Sequence, residues 1–567
     1  MNARTAELLT MIDSTVADRW QPCRGCRALV LVEQVRAGHG SCPDCGALTR
    51  LGAQERIAFL ADPGSFAELD ADLTGGDPLG FTDRLPYAQR LDAARERTGL
   101  ADSVSYGTAT VAGVRVVLVA MDFAFLGGSM GTVAGEKVTR AAERALRDRC
   151  PLLVVAASGG ARMQEGVLSL AQMAKTASAF QRLCEERVPT IGVITDPVYG
   201  GVAASFSALA DVIVAESGAR AGFAGPGVIA QTVREQLPAG FQTAEFLLAH
   251  GHIDLVVRRN ELPDTLRTLL RATEKPKIQS RKDGVDNPRH KAPRAEETEV
   301  WQRVELARHP DRPTVLDYLD RTFDEFLELH GDRWSGDDAA IVGGLARLGG
   351  RPVLVVGTCK GSSTEERVRR NFGMAHPAGY RKAVRLYRLA ARWRLPLVTV
   401  IDTAGAYPGV RAEQENQSGA IAEALAALST LPVPVLSVIT GEGGSGGALA
   451  LAVADTLLMQ ENAVLSVISP EGASTILFGE AGHAKQAARA LGITAADQLD
   501  NGIADDIVPE PPGGAHTDPA AAARLLGERL ATWLDRLCAL PADELSARRR
   551  SRWREVGSAA TTERGAQ

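Results

Sequence analysis

The sequence lacks any apolar stretch long enough to cross a membrane. Even the run ALALAVADTLL at 448–458 is short and is interrupted by Asp455, whereas a membrane-spanning helix needs about 20 apolar residues. The first twenty residues also lack the continuous apolar core of a secretory signal peptide. We therefore expect a cytoplasmic protein that does not associate with membranes.

The chain also lacks an excess of positive charge. Its 63 lysines and arginines are outnumbered by 69 aspartates and glutamates, which gives a net charge of −6. This balance argues against nucleic-acid binding as the main role, because such proteins attract phosphates through basic surfaces. The length of 567 residues predicts at least two large structural units.

Cysteine is scarce, but half of the eight cysteines lie in two C-x-x-C pairs near the start of the chain. The four residues are Cys23, Cys26, Cys42 and Cys45. Fifteen residues separate the pairs, a spacing typical of a four-cysteine zinc ribbon. His39 is a rival ligand that we expect to be a loop residue instead. The other four cysteines are scattered singly and are expected to be free thiols.

The most informative pattern is an internal repeat. The segment PLLVVAASGGA at 151–161 resembles PLVTVIDTAGA at 396–406, and VPTIGVIT at 188–195 resembles VPVLSVIT at 433–440. Both pairs are offset by 245 residues. Each half reads as alternating apolar strands, glycine turns and amphipathic helices, which predicts two α/β domains with mostly parallel sheets.

These patterns divide the chain into four predicted parts. A ribbon with an N-terminal helix occupies 1–50, and the two α/β domains occupy 51–273 and 300–567. Between the domains, 274–299 is polar, charged and without periodicity, which is typical of an exposed linker.

Two short motifs in the second half are typical of other classes of enzyme. The residues 441–446 satisfy G-x-G-x-x-G, a dinucleotide-binding pattern, and 443–447 satisfy G-x-S-x-G, the nucleophile turn of hydrolases. The corresponding turn of the first half, 196–201, carries neither pattern. We also find no Ser/His/Asp set shared by the halves and no phosphate-binding G-K-[ST] loop, so we set both interpretations aside.

The two halves share glycine-rich turns that follow apolar strands. Such turns expose backbone N–H groups at the positive end of a helix dipole and allow close approach of a substrate oxygen. Each half can therefore provide a pocket for a developing oxyanion, although ordinary tight turns between strands and helices explain the pattern equally well. The predicted donors are Gly159, Gly160, Gly200 and Gly201 in the first half and Gly405, Ala406, Gly446 and Gly447 in the second.

Several longer motifs resemble a known enzyme family, the carboxyltransferase of bacterial acetyl-CoA carboxylase. In the first half the motifs FAFLGGSMG, SGGARMQE, TDPVYGGV and GFAGP, together with the four-cysteine ribbon and TVREQLPAGFQ, resemble its β subunit. In the second half RRNFGM, GYRKA, AYPGV, GEGGSGGALA and VISPEG resemble its α subunit. The family usually has two chains, whereas here the β-type half precedes the α-type half in one polypeptide.

The resemblance implies a crotonase-like (ClpP/crotonase superfamily) fold in each half, with an active site between an N-terminal and a C-terminal half. It implies transfer of a carboxyl group from carboxybiotin, delivered by a biotin carboxyl carrier protein, to acetyl-CoA to give malonyl-CoA. Two oxyanion holes would hold the two enolates, and biotin itself would remove the substrate proton. The structural zinc, the biotin carboxylase partner and a homodimer equivalent to α2β2 are expected on the same basis.

The resemblance also suggests contacts with the CoA thioester. The predicted CoA-binding residues are Gly127, Gly128, Gly131, Lys137, Arg369, Arg370 and Lys382. Structural loops and solvated helix faces are the alternative interpretation of these positions. Two departures from the family pattern, Ala404 in place of a proline and the segment 358–364 around Lys360, can alter acyl-chain or carrier preference.

Three rival functions remain open from the sequence. The first is a carboxyltransferase for propionyl-CoA or a longer acyl-CoA, or a related decarboxylase. The second is a regulator that binds nucleic acid through the ribbon. The third is a dinucleotide oxidoreductase, for which the glycine-rich turns would bind the cofactor.

Overall fold

The computed structural model describes residues 19–23, 25–227, 229, 236–274 and 297–556. The described residues divide into two compact units, one within Met1–Leu247 and Ile253–Thr273 and the other within Leu248–His252 and Glu274–Gln567. The predicted N-terminal helix, most of the predicted linker and part of the TVREQLPAGFQ motif lie outside the described residues.

The first unit begins with a small ribbon. Strands β1 (Trp20–Pro22) and β2 (Leu29–Leu31) pair in antiparallel fashion and are followed by helix α1 (Val32–Ala37). The buried side chains of Val30, Val35, Cys23 and Cys42 form its small core. A core of this size needs an additional constraint to hold its shape, such as a bound metal.

An eight-stranded sheet forms the body of the first unit, in the order β10-β8-β7-β6-β5-β4-β3, with β9 paired to β7. The pairs β3–β4 and β4–β5 are antiparallel, whereas β5–β6 and all the remaining pairs of this sheet are parallel. The strands are β3 (Ala67–Leu69), β4 (Val104–Val111), β5 (Val114–Met121), β6 (Leu152–Ser158), β7 (Thr190–Tyr199), β8 (Val212–Glu216), β9 (Ala221–Gly222) and β10 (Leu255–Val257). The helices are α2 (Ala53–Leu60), α3 (Tyr87–Thr98), α4 (Thr132–Asp148), α5 (Gly166–Glu185), α6 (Gly200–Ala203), α7 (Ala244–Ala249) and α8 (Leu262–Ala272).

The second unit contains a sheet of the same design, in the order β11-β12-β13-β14-β15-β16-β18, with β17 paired to β15. Its strands are β11 (Glu325–Glu328), β12 (Ile341–Leu348), β13 (Arg351–Thr358), β14 (Leu397–Thr403), β15 (Val435–Gly444), β16 (Thr456–Gln460), β17 (Val464–Ser466) and β18 (Asp506–Val508). Its first helices are α9 (Glu297–Ala307), α10 (Val315–Thr322), α11 (Thr364–Arg369), α12 (Pro377–Trp393), α13 (Val410–Gln414) and α14 (Gln417–Thr430). They are followed by α15 (Ser445–Ala452), α16 (Pro470–Phe478), α17 (Ala484–Leu491), α18 (Ala495–Asp500), α19 (Pro519–Cys538) and α20 (Ala542–Glu555).

The internal repeat predicted from the sequence is confirmed. Helices α4 and α12, strands β6 and β14, and strands β7 and β15 each begin 245 residues apart. The register irregularity between β6 and β7, at Ala156–Ser158, recurs between β14 and β15 at Ile401–Thr403. A β-bulge changes the direction of the residues that follow it. The chain therefore leaves β6 and β14 in the same direction relative to each sheet.

Burial explains why these segments form their elements. Every residue of β6 and of β14 is buried, as expected for parallel strands covered on both faces. The helices α4 and α12 place alanine, valine and leucine against the sheets and arginine toward solvent. Among the described residues, no helix is both long and apolar enough to cross a membrane.

Candidate active site

The four predicted metal ligands lie together at the tip of the ribbon. The Sγ atoms of Cys23, Cys26, Cys42 and Cys45 are all within 4.8 Å of one another. The Sγ atoms of Cys23 and Cys45 are 3.6 Å apart and those of Cys26 and Cys42 are 3.9 Å apart. Four thiolates about 2.3 Å from a tetrahedral zinc ion would be about 3.8 Å apart, so the residues fit zinc. The ring of His39 instead packs against the ring of Phe59 in a tilted arrangement, with the centroids 4.3 Å apart.

This geometry predicts about one zinc ion per chain. Replacing Cys23 and Cys42 with serine removes one ligand from each C-x-x-C pair, and we expect the zinc content of the purified protein to fall close to zero. Elemental analysis by mass spectrometry measures the ratio directly. Cys184→Ser, a cysteine outside the cluster, serves as the control. A variant that retained full zinc content without Cys23 and Cys42 would contradict the assignment.

In the first unit, the turns that follow β6 and β7 approach each other closely. A Cβ atom added at Gly160 would lie 3.4 Å from the Cα of Gly200, and one added at Gly200 would lie 3.2 Å from the Cα of Gly160. Both residues have positive φ angles, 119° and 57°, which side chains disfavour. Glycine therefore favours the close approach of these two turns, most clearly at Gly160, whose φ angle of 119° side chains rarely adopt.

Most of the predicted amide donors of the first unit are already engaged. The N–H of Gly159 donates to the carbonyl of Gly127 at 2.8 Å, and the N–H of Gly200 donates to the carbonyl of Phe223 at 2.9 Å. The N–H of Gly160 donates to Ser158 Oγ at 3.0 Å. These three amides are therefore not available to a substrate. Across the part of the chain that the structure describes, no hydrogen bond uses the N–H of Ala161 or of Gly201, so the free donors are one residue further along each turn.

The second unit repeats this arrangement with different residues. Gly405, with φ of 151°, donates its N–H to Thr403 Oγ1 at 3.1 Å, as Gly160 does to Ser158. The residue equivalent to Gly200 is Ser445, which adopts φ of 54°. Within the described ranges, the N–H groups of Ala406 and of Gly446 make no hydrogen bond, and they are the counterparts of Ala161 and Gly201. The predicted donor Gly405 is therefore corrected to a positioning residue, whereas Ala406 and Gly446 keep free amides.

Gly447 packs closely against the peptide that joins Gly405 and Ala406. A Cβ atom there would collide with the nitrogen of Ala406, and would lie 2.6 Å from the carbonyl carbon of Gly405 and 2.8 Å from the hydroxyl oxygen of Tyr380. Tyr380 is fully buried, and its hydroxyl makes no hydrogen bond to the described residues. The position of the Ala406 amide therefore depends on the absence of a side chain at Gly447.

The two lysines predicted to bind CoA are internal cations instead. Lys137 donates to the carbonyl of Val104 at 3.1 Å, and its equivalent Lys382 donates to the carbonyl of Ile341 at 2.9 Å. Both side chains are buried, and burial lowers the pKa of Lys137. Lys382 also pairs with Asp337 at 2.7 Å. Neither ammonium group faces solvent, where it would meet a phosphate.

Three other predicted CoA contacts also have structural roles. Arg370 is buried and donates to the carbonyl of Ala339 at 2.7 Å. A Cβ at Gly131 would lie 2.9 Å from Arg162 Nη1, and one at Gly128 would collide with the carbonyl oxygen of Ala157. Each of these glycines is needed for packing within the unit.

Two of the predicted CoA contacts remain open to a ligand. Gly127 has φ of 69° with open space where a Cβ would lie. Arg369 is exposed and lies 3.7 Å from Glu366. Their role toward CoA stays a prediction.

A charged cluster that sequence reasoning missed supports the turn of the second unit. Lys360 Nζ lies 2.7 Å from both Asp402 Oδ1 and Glu442 Oε2, and Arg308 Nε donates to Glu442 at 2.6 Å. Burial opposes ionisation of Glu442, but Lys360 and Arg308 hold its pKa below the ordinary value. The departure of the segment 358–364 from the family pattern was the one feature that pointed to this region before the structure was known.

Comparison with known proteins supports a single family. A family model described as acetyl co-enzyme A carboxylase carboxyltransferase-like matches residues 262–557. The acetyl-coenzyme A carboxylase carboxyl transferase subunits beta/alpha of Salinispora tropica is 56% identical over 546 residues, which are 95% of this chain and 96% of that protein. Its counterpart from Saccharopolyspora erythraea is 51% identical over 543 residues, 95% of this chain and 94% of the relative.

Solved structures show the same architecture. Transcarboxylase 12S with methylmalonyl-coenzyme A and methylmalonic acid bound has 25% identity and a TM-score of 0.67, and the match covers 93% of this chain and 96% of that one. A single-chain, multi-domain long-chain acyl-CoA carboxylase, 22% identical with a TM-score of 0.65, shares the fold over 95% of this chain and 49% of its own. The chain therefore belongs to the acetyl-coenzyme A carboxylase carboxyltransferase family, with the β-type and α-type halves of this transferase joined in one polypeptide.

Proposed function

We propose that the protein transfers a carboxyl group from carboxybiotin, presented by a biotin carboxyl carrier protein, to the methyl carbon of acetyl-CoA to give malonyl-CoA. The observation that carries this proposal is the pair of free backbone amides at the same turn of each repeat, Ala161 with Gly201 and Ala406 with Gly446. A reaction with two oxygen-centred anions matches a chain that carries two such pairs.

When bound, biotin would supply the ring nitrogen from which the carboxyl group leaves as CO2 and which then takes up the methyl proton. The carbon that has lost this proton would form the new bond to CO2. Each pair of amides binds one oxygen, that of the biotin ring or that of the thioester, and stabilises it as negative charge develops. In other enzymes the loss of one such donor lowers the rate by about 10²–10³-fold. The charges near the turn of the second unit, such as Glu442, are held in internal ion pairs, and the mechanism requires no protein base.

The turns are built to hold these donors without rearrangement. Ser158 and Thr403 accept the amide hydrogen of the glycine that precedes each free donor. The bulge at the end of β6 and of β14 orients the following peptide, and the first turns of α6 and α15 leave their N–H groups without intrahelical partners. Donors fixed in this way stabilise charge without a reorganisation cost during the reaction.

The acyl-CoA preference has a second candidate. The similar transcarboxylase 12S was solved with methylmalonyl-coenzyme A bound, which favours propionyl-CoA as an alternative acceptor. The deciding experiment is a transcarboxylation assay with a carboxylated carrier protein and acetyl-, propionyl- or butyryl-CoA. We expect the highest kcat/KM with acetyl-CoA. A higher value with propionyl-CoA would assign the second candidate, and no turnover with any of the three would overturn the proposal.

Exposed apolar side chains occur in each unit, and they support association with other chains. In the first unit Met163 and Val167 are 80% and 71% exposed, and in the second unit Val410 and Ile476 are 76% and 73% exposed. Apolar patches of this kind mark interaction surfaces. We propose that they contribute to the homodimer and to docking of the carrier, which works with a separate biotin carboxylase. Analytical ultracentrifugation of the purified chain tests the dimer.

A further inference from the structure

A cavity of about 270 Å³ lies inside the first unit, between the ribbon and the sheet. The segment Gly46–Leu51, which follows the last ribbon cysteine, forms the outer wall. The carboxyl ends of β6, β7 and β8 form the inner wall, through Ala157, Thr195 and Glu216, together with Arg56 and Arg259. The volume is close to the lower end of the range of small-molecule sites, about 300 Å³. It therefore suits a compact ligand or one group of a larger ligand.

The inner wall carries more positive than negative charge. The carboxylate of Glu216 accepts hydrogen bonds from both Arg56 and Arg259, and all three side chains are buried. Burial opposes ionisation of Glu216, but the two guanidinium groups lower its pKa. Two arginines with one carboxylate leave one uncompensated positive charge, which is costly in a buried setting unless an anion lies nearby.

On the outer side of the cavity, Arg50 has an acidic neighbour that it shares with an arginine outside the cavity. Asp196 lies 3.6 Å from Arg50 Nη2 and makes two hydrogen bonds with Arg220, at 2.8 and 3.1 Å. The guanidinium of Arg50 also stacks on the ring of Phe123 at 4.1 Å, which holds it at the edge of the cavity. The cavity lining as a whole therefore holds three arginines and two carboxylates.

Arg56 has hydrogen-bonding capacity left over. Its Nη1 and Nη2 atoms donate to Glu216, whereas its Nε–H has no partner among the residues that the structure describes. Arg259 differs, because its remaining donors bind the carbonyls of His39 and Thr49 and so attach the ribbon to the sheet. A buried guanidinium with a free N–H group, facing a cavity with excess positive charge, matches the planar, charged geometry that binds phosphate.

We propose that this cavity is a binding site for a phosphoryl group, held by Arg56 from the inner wall and Arg50 from the outer wall. The group can belong to CoA or to a free phosphorylated metabolite, because both present the same dianionic oxygens. A concave site of this volume favours a small molecule over the extended surface of a nucleic acid. The inference does not depend on the reaction proposed above, because binding is measured without turnover.

The test uses calorimetric titration of the full-length protein with inorganic phosphate, CoA and dephospho-CoA at low ionic strength. Arg50→Met removes one charged donor at an exposed position, and we expect binding to weaken about tenfold or more. Asp196→Asn removes the carboxylate that competes for Arg50, and we expect binding to tighten several-fold. Arg115→Met is the matched control and should leave the affinity unchanged. Arg115 is exposed, pairs with Asp148 and lies near the start of β5, opposite the strand ends that form the cavity.

Opposite effects of the Arg50 and Asp196 substitutions distinguish ligand binding from a structural role, which both would disturb in the same direction. Tighter binding of CoA than of dephospho-CoA identifies the 3′-phosphate of CoA as the source, and equal affinities with measurable phosphate binding identify a free metabolite. The proposal fails if none of the probes binds, or if neither substitution changes the affinity. It also fails if a 20-nucleotide RNA binds in an Arg50-dependent manner while the three small probes do not.

Discussion

Replacing Gly447 with alanine is expected to lower kcat for carboxyl transfer by about 10²–10³-fold. The added Cβ would occupy the space between the Ala406 nitrogen and the Tyr380 hydroxyl, so the Gly405–Ala406 peptide must shift. Because a donor of this kind acts only when it points at the developing oxyanion, a displacement of a few tenths of an ångström is enough to weaken it. Steady-state assays with a carboxylated carrier protein and acetyl-CoA measure the loss.

The neighbouring Gly446 provides the matched control. A Cβ there would lie 3.7 Å from Ile421 Cγ2, an ordinary contact, and alanine retains the N–H group that we assign to the oxyanion. Neither glycine has a positive φ angle, and alanine is a better helix former than glycine, so backbone conformation penalises neither substitution. We expect Gly446→Ala to keep kcat within a few-fold of the unmodified enzyme.

Thermal unfolding of both variants separates catalysis from folding. Gly447→Ala is expected to unfold only a few degrees lower than the unmodified protein, so that a folded enzyme with a misplaced donor is assayed. If the two variants had equal kcat values, the Ala406 amide would not be a donor and the assignment of the second hole would be wrong. A loss confined to KM would instead point to substrate binding.

The amide assignments show what the sequence can and cannot reveal about this site. The repeat offset located both turns, because apolar strands and glycine turns leave a strong pattern. The predicted set contained the free donors Gly201, Ala406 and Gly446 but missed Ala161. It also included engaged amides, because an amide is free only when no carbonyl or hydroxyl elsewhere accepts its hydrogen. Gly200 is engaged by Phe223, which lies 23 residues further along the chain. The equivalence of Gly200 with Ser445 was also hidden, because a serine in the left-handed conformation has no sequence signature.

The lysines illustrate a second limit. Lys137 and Lys382 lie on the helices α4 and α12 among other basic residues, and a helical pattern with arginines nearby predicts a solvated face. The long aliphatic part of a lysine side chain allows its ammonium group to reach a backbone carbonyl at the end of a strand instead. Only the packing of each helix against β4 or β12 decides between the two, and the sequence does not contain that distance.

Replacing Arg549 with methionine is expected to lower the unfolding temperature of the second unit by about 10 °C. Arg549 is fully buried on α20, pairs with Asp455 at 2.7 Å, and donates to the carbonyls of Leu428, Leu431 and Val433. Removing one partner of a buried ion pair costs about 3–5 kcal/mol, and each kcal/mol shifts the unfolding temperature of a unit of this size by about 2–4 °C. Differential scanning calorimetry measures the shift.

The adjacent Arg548 is the control for this prediction. It is 61% exposed and pairs at the surface with Glu544, and such pairs contribute between zero and about 1 kcal/mol. Arg548→Met should therefore change the unfolding temperature by no more than about 3 °C. Equal effects of the two substitutions would show that the stability of the second unit does not depend on the buried contacts of Arg549.

The stability deficit of Arg549→Met is expected to grow with pH, and the reason lies in Asp455. Burial raises the pKa of Asp455 even beside Arg549, so its protonated form favours the native state. The stability gained from that proton is fully present below the ordinary pKa of an aspartate and is lost as the pH rises through the higher native value. Without Arg549 this native value rises further, because the carboxylate loses its positive partner. The variant should therefore lie closer to the unmodified protein at pH 5 than at pH 8, and a deficit independent of pH would show that the loss comes from the three carbonyls alone.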